Sequence, residues 1–180
     1  MTRTLAKAFV ILAVTAGAAT AQQPAGAFKT GSTYAGPRVW LGNLNGAVAI
    51  GAQAERAFTE PGQTGSGIIS GGVGVDYYSW NYDYSFGKWS YSVIPLQAFS
   101  NYHFIIKGNS KLDPYVGLAL VYSIVNASWE GSGTEVDANG SGAALAGQGG
   151  LRYFINESFA LQGQVGFGYG TIGLGTSWRF

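Results

Sequence analysis

Apolar and polar positions alternate with period two through most of the chain, the mark of strands whose two faces meet different surroundings. At the C-terminus Ile172, Leu174, Thr176, Trp178 and Phe180 share one face, opposed by Thr171, Gly173, Gly175, Ser177 and Arg179. Before them, Phe159, Leu161, Val165 and Phe167 oppose Ser158, Ala160, Gln162 and Gln164. Leu145, Leu151 and Tyr153 oppose Ala146, Gln148, Gly150 and Arg152. Val116, Leu118, Leu120, Tyr122 and Ile124 oppose Gly117, Ala119 and Ser123, in a run opened by Pro114, where proline costs no ladder bond. Ile94, Leu96, Ala98, Tyr102 and Phe104 oppose Gln97, Asn101 and His103. Ile69, Val73, Val75 and Tyr77 oppose Ser70, Gly72, Gly74 and Asp76. Val48, Ile50, Ala52, Ala54 and Phe58 oppose Gly51, Gln53 and Glu55. A weaker first run covers 36–42 and is closed by an Asn43-Leu44-Asn45-Gly46 turn. The pattern predicts eight strands.

The chemistry of the faces predicts which one meets solvent. Apart from Arg56 the apolar face avoids charge, while the other collects Glu55, Asp76, His103, Arg152, Arg179 and several glutamines. A charge facing lipid at mid-depth costs about 2–4 kcal/mol, so the charge-free face reads as the lipid-facing one. Backbone groups in hydrocarbon must all be paired, which requires a closed barrel. The expected fold is all-β, an eight-stranded antiparallel up-and-down transmembrane barrel. Even parity puts both termini on one side, expected to be periplasmic. Connections at 59–67, 106–113 and 156–157 then lie on that side, and those at 43–46, 80–88, 129–141 and near Gly168 lie outside. Phe58, Tyr102, Phe104, Tyr153, Phe159, Trp178 and Phe180 fall at periplasmic ends of strands. Tyr77, Tyr122 and Phe167, with Tyr169 beside them, fall at outer ends, giving the two aromatic girdles of a bilayer-spanning barrel.

Residues 1–21 read as a secretory signal peptide: Arg3 and Lys7, an apolar run from Ala8 to Ala18, and Ala19-Thr20-Ala21 as a cleavage site. That run is too short for a spanning helix. Residues 22–35 are expected to form a periplasmic lead and 36–180 the barrel domain. Ten basic and nine acidic residues give +1 for the chain; removing Arg3 and Lys7 leaves eight against nine, a net −1. Such a balance offers nothing to a nucleic acid. With no cysteine and one histidine, disulfides, thiolate chemistry and multi-histidine metal sites are excluded, and no cofactor is expected. Charged residues make up 11% while glycine reaches 29 and aromatics 14%. Glycines suit narrow walls, and aromatics suit interfaces.

An eight-stranded barrel has room inside for side chains rather than an aqueous channel. Glu55, Asp76, Arg152 and Arg179 are the candidate members of an internal ion-pair network. His103 lies on an inward face with no Ser-His-acid spacing apparent around it, so no catalytic residue is assigned. Gly168-x-Gly170-x-x-Gly173 matches a dinucleotide fingerprint but lacks the helix that such a site needs. Trp80, Tyr82, Tyr84, Phe86, Trp89 and Tyr91 cluster around the 80–88 connection. An interfacial anchor is the simpler reading; a surface for an extracellular ligand, carried by Trp80, Tyr82, Tyr84 and Phe86, is the functional one.

The ending Gly175-Thr176-Ser177-Trp178-Arg179-Phe180, the segment Lys111-Leu112-Asp113-Pro114-Tyr115-Val116-Gly117 and Leu151-Arg152-Tyr153-Phe154 resemble the small OmpA/OmpX-like outer-membrane β-barrel family. This resemblance extends over the mature chain. It implies a bacterial outer-membrane protein in contact with outer-membrane lipid and lipopolysaccharide. Gly175, Trp178 and Phe180 match the C-terminal signal read by the outer-membrane assembly machinery, although Gly173 stands where that signal usually has a polar residue. The expected function is an envelope-structural or surface-interaction role without catalysis. The alternatives are a lipid-modifying outer-membrane enzyme, a small hydrophobic-solute transporter and a soluble periplasmic ligand-binding barrel.

Overall fold

A computed structural model describes residues 27–131 and 136–180; the expected signal peptide lies outside the described residues. Eight antiparallel strands close into a barrel in chain order. They are β1 (Thr33–Leu41), β2 (Ala49–Ala57), β3 (Ile68–Tyr84), β4 (Gly87–His103), β5 (Leu112–Gly131), β6 (Val136–Phe154), β7 (Phe159–Phe167) and β8 (Ile172–Arg179). β1 begins at Thr33, ahead of the expected boundary at Gly36. Its pairing with β8 closes the wall, and Thr33 and Phe180 exchange backbone hydrogen bonds at the seam. The start of β1 and the end of β8 therefore meet at one end of the barrel.

Three turns follow from local chemistry. Between β1 and β2, Gly42, Asn43, Asn45 and Gly46 all have positive φ, the region asparagine and glycine enter most readily. That reversal folds Leu44 back into the interior, where it is almost fully buried. Between β6 and β7 the Asn156 side chain accepts hydrogen bonds from the backbone N–H of Ser158 and Phe159, both at 2.9 Å. Between β7 and β8, Gly168 takes the positive φ, and Tyr169 turns inward against Trp40 instead of joining the outer aromatic girdle.

Outward positions in the barrel wall are mainly apolar, with Leu41, Ile50, Val73, Leu96, Leu118, Leu120, Leu145, Val165 and Leu174 all exposed. Inward ionic side chains are buried: Arg38, Glu55, Asp76, Asp113 and Arg152 are each 3% exposed or less. A soluble barrel has the reverse arrangement, so the chain is a transmembrane barrel. Leu120 lies mid-strand on this face, opposite Ala98 and Leu145. Leu120→Arg is expected to cost about 2–4 kcal/mol, read from urea unfolding in lipid vesicles. A loss well below 1 kcal/mol would contradict a lipid-facing position.

Strand lengths are unequal, and this departs from the sequence reading. β1, β2, β7 and β8 have eight or nine residues, about what a tilted strand needs to cross a bilayer. β3 and β4 have 17 each, β5 has 20 and β6 has 19. The expected connections at 80–88 and 129–141 are instead largely paired strand, with β3 and β4 joined through Ser85 and Phe86 alone. Half of the barrel wall therefore continues past the other half as a four-stranded sheet.

Candidate functional site

Two constellations stand out, one inside the barrel and one on the protruding sheet. Inside, the polar side chains form two linked layers. In the upper layer Arg38 from β1 donates to both carboxylate oxygens of Asp76 on β3, at 2.9 and 2.7 Å, and to Gln53 at 2.7 Å. Gln97 donates to the same carboxylate at 2.9 Å. Gly74 leaves the space over which the Arg38 guanidinium lies; a Cβ there would collide with it. Gln53 reaches Gln162 at 3.1 Å and joins this layer to the lower one.

The lower layer is built on Glu55. Arg152 donates to it at 2.6 Å and to Asp113 at 3.3 Å, and Asn101 donates at 2.7 Å. Each ring nitrogen of His103 faces a carboxylate, Asp113 at 2.7 Å and Glu55 at 2.9 Å. Across the two layers three carboxylates meet two guanidinium groups and one imidazole. Such pairing is what makes burial of ions tolerable.

The four side chains anticipated for this network are not all brought together. Glu55 and Arg152 pair directly, Asp76 is held by Arg38 one layer higher, and Arg179 stands apart at the rim, 3.4 Å from the exposed Glu157. Arg38 and Asp113 escaped sequence reasoning. Arg38 sits in the run with the weakest alternation. Asp113 occupied what read as a connection, whereas β5 begins at Leu112. A polar residue beside Pro114 at a strand start was the available signal.

Tertiary structure also assembles a Ser-His-acid geometry that no sequence spacing revealed. Ser70 Oγ lies 3.0 Å from His103 Nε2, and His103 Nδ1 lies 2.7 Å from Asp113. The group is locked. The Ser70 hydroxyl donates to Glu55 at 2.5 Å, so its proton points to a carboxylate rather than to the imidazole. Phe28 stacks on the His103 ring at 3.7 Å and nearly parallel, and the Arg152 guanidinium lies over Phe28 and Tyr34. Phe28, Tyr34, Ile68 and Phe154 form an apolar plug at this end. Trp40, Leu44, Phe99, Val121 and Tyr169 form another at the opposite end.

On the protruding sheet the two faces exchange character. Below, odd positions of β3 are apolar and face outward. Above Tyr77 the even positions carry the rings: Tyr78, Trp80, Tyr82 and Tyr84. Trp80 stacks on Tyr91 at 4.9 Å, Trp89 meets Trp129 at 5.6 Å, and Tyr84 meets Trp129 at 6.2 Å. Tyr78 approaches Trp80 and the lumen residue Tyr169, so this aromatic face continues the inner wall of the barrel. The opposite face, continuing the lipid-facing side, turns polar with Ser79, Asn81, Ser90, Ser92, Asn126, Ser128 and Asn139 around one shallow depression. Of the four ring residues singled out from sequence, Trp80, Tyr82 and Tyr84 share the aromatic face. Phe86 lies in the β3–β4 turn, with its ring 5.8 Å from that of Trp129.

No family model and no curated protein sequence matches the chain. Solved structures do. Ail, the attachment invasion locus protein of Yersinia pestis, superposes with a TM-score of 0.54 at 16% identity, over 84% of this chain and 100% of that one. The N-terminal β-barrel domain of OprF from Pseudomonas aeruginosa superposes with a TM-score of 0.52 at 16% identity, over 84% and 98%. Ail in complex with the heparin analogue sucrose octasulfate gives 0.53 at 15% identity, over 84% and 100%. At these identities the likeness concerns the fold, which is that of the small eight-stranded outer-membrane barrels.

Proposed function

We propose that the chain is an integral outer-membrane protein with a surface-interaction role, the β3–β6 sheet being its interaction element and the barrel its anchor. The observation that carries this reading is the exchange of faces above Tyr77. A wall that stayed in lipid would keep its apolar residues outward; here the outward face becomes Ser, Asn and Asp where the four long strands outrun the short ones. The long hairpins project to the exterior, and the termini, at the opposite end, are periplasmic. The outer leaflet meeting the barrel is lipopolysaccharide. Gly175, Trp178 and Phe180 serve as the signal for the assembly machinery; Trp178 and Phe180 are exposed on the outward face of the last strand, open to recognition before insertion.

Catalysis is not part of this reading. Ser70 and His103 are each 1% exposed, bonded to Glu55 and sealed by Phe28. A solute route is opposed by the two apolar plugs that fill the lumen ends. A sulfated polyanion such as the one bound by Ail is opposed by charge: the described protruding sheet has Lys88 against Asp83, Glu130 and Asp137.

The test is membrane fractionation with unheated and heated gel mobility, followed by labelling of intact cells with a membrane-impermeant amine reagent at Lys88. A heat-modifiable outer-membrane band labelled from outside is expected. A soluble periplasmic pool, an unlabelled Lys88 in intact cells, or fluorophosphonate capture of Ser70 would each overturn part of the proposal.

A further inference from the structure

The lipid-facing wall is not evenly filled. Ala35 and Pro37 of β1 face Ala54 and Ala52 of β2 in the register, so four small side chains adjoin on the outward face. At the same level β5 carries Leu120 and Tyr122. The missing bulk leaves two adjoining depressions of about 870 and about 820 Å³ that share Pro37, Ala52 and Val75. Together they form one groove along the outside of the barrel. Trp178 of β8 walls it beside Ala35, and Val75 of β3 walls it beside Ala52.

At the periplasmic end of this groove stands Arg56, the exception on a face that otherwise avoids charge. It follows Ala54 by two residues on β2 and is exposed, between Thr33 of β1 and Gly71 of β3. Its guanidinium donates to Thr33 at 3.1 Å, and among the described residues it forms no ion pair. An unpaired outward cation calls for an anion from outside the chain, and a planar guanidinium matches a phosphate through paired N–H donors. The length of the groove fits the rest of such a molecule. Ile50 lines its far end, and the distance from Arg56 to Ile50 is about 20 Å along the strand. With a strand tilt of about 40° this covers about 15 Å of depth, one half of a hydrocarbon core about 30 Å thick.

We propose that this groove holds one anionic phospholipid, its phosphate on Arg56 and an acyl chain against Ala54, Ala52 and Pro37. The chain fills the gap that large side chains fill on β5. A second copy of the protein fits less well on grounds of charge. The carboxylates of the described barrel wall, Glu55, Asp76 and Asp113, are buried inside, so the same wall of another copy offers Arg56 no partner. The inference goes beyond the surface-interaction role, since it concerns the anchor rather than the protruding sheet. Assigning the lipid to the periplasmic leaflet rests on the orientation proposed above. Binding itself does not, so a vesicle measurement is separable from cell-surface labelling.

Trp178 provides the readout. Trp40 is inside the barrel, and Trp80, Trp89 and Trp129 are on the protruding sheet, so Trp178 is the tryptophan that bromine on an acyl chain can reach. The full chain is refolded in phosphatidylcholine vesicles doped with phosphatidylglycerol or, at equal mole fraction, with phosphatidylcholine, the dopant in each case brominated near the headgroup end of its chains. Phosphatidylglycerol should occupy the groove about fivefold more readily, the factor one cation contributes at an anionic lipid surface, and should quench Trp178 correspondingly more. Arg56→Gln should abolish that preference. Lys107→Gln, which removes an exposed cation from the β4–β5 connection at the same end, should keep it. Ala52→Leu/Ala54→Leu fills the groove and should bring the two lipids to equal quenching with Arg56 still in place. Equal quenching in the unsubstituted protein overturns the proposal, as does a preference lost equally in Lys107→Gln, which marks a diffuse field of the whole rim. A dimer in detergent that Ala52→Leu/Ala54→Leu dissociates would put a second copy in the groove and overturn it as well.

Discussion

Replacing Arg152 with methionine is expected to lower the unfolding free energy by about 3–5 kcal/mol, the range found when one member of a buried ion pair is removed. The cost lies in what stays behind. Arg152 is fully buried and donates to both Glu55 and Asp113, which are themselves only 2% exposed. Without the guanidinium, two carboxylates face each other across His103 with one counter-group between them. Methionine keeps much of the volume, so the change reports on charge rather than on packing. Urea unfolding in lipid vesicles followed by gel mobility measures it. Two comparisons make the result interpretable. Arg179→Met removes a rim pair whose partner is exposed and should change stability by about 1 kcal/mol or less. Adding Glu55→Gln to Arg152→Met should recover part of the loss, because the stranded charge is gone. If Arg152→Met and Arg179→Met unfold at the same urea concentration, the internal network contributes nothing to stability.

Phe28→Ala should cost about 3 kcal/mol, as for other buried phenylalanines, although Phe28 precedes the first strand. Its ring is 3% exposed, lies 3.7 Å from that of His103 and sits beneath the Arg152 guanidinium. Truncation removes that packing and lets water reach the lower polar layer from the barrel mouth. The second effect has its own readout. The His103 ring N–H that faces Asp113 should be observable by NMR in the wild-type protein and lost to rapid solvent exchange in the variant. A variant with unchanged exchange would show that Phe28 does not seal the lumen.

The barrel itself was legible because its physics is written along the chain with a period of two. Ile172, Leu174, Trp178 and Phe180, or Val116, Leu118, Leu120 and Tyr122, each declare a lipid-facing side without reference to any distant residue. Charge on the opposite side identified the interior in the same local way. The reading failed where the environment changes along a single strand. Tyr78, Trp80, Tyr82 and Tyr84 alternate as regularly as the residues below Tyr77, but in the opposite phase. An aromatic-rich segment with its apolar face reversed reads as a connection, whereas it is a strand that has left the bilayer. Tyr169 was misplaced for a related reason: a ring at a strand end suits an interface until a turn such as that at Gly168 carries it inward.

The amino-acid sequence by itself determined the strand count, the closed all-β architecture and the side of each strand that faces lipid, because each depends on neighbours two residues apart. It could not pair Arg38 with Asp76 or place Ser70, His103 and Asp113 in one cluster. Those contacts join residues 10 to 38 apart in the chain and depend on register. Nor could it show that four strands outrun the other four, since an open edge is the absence of a neighbour. Only the closed register of the whole wall decides where neighbours end.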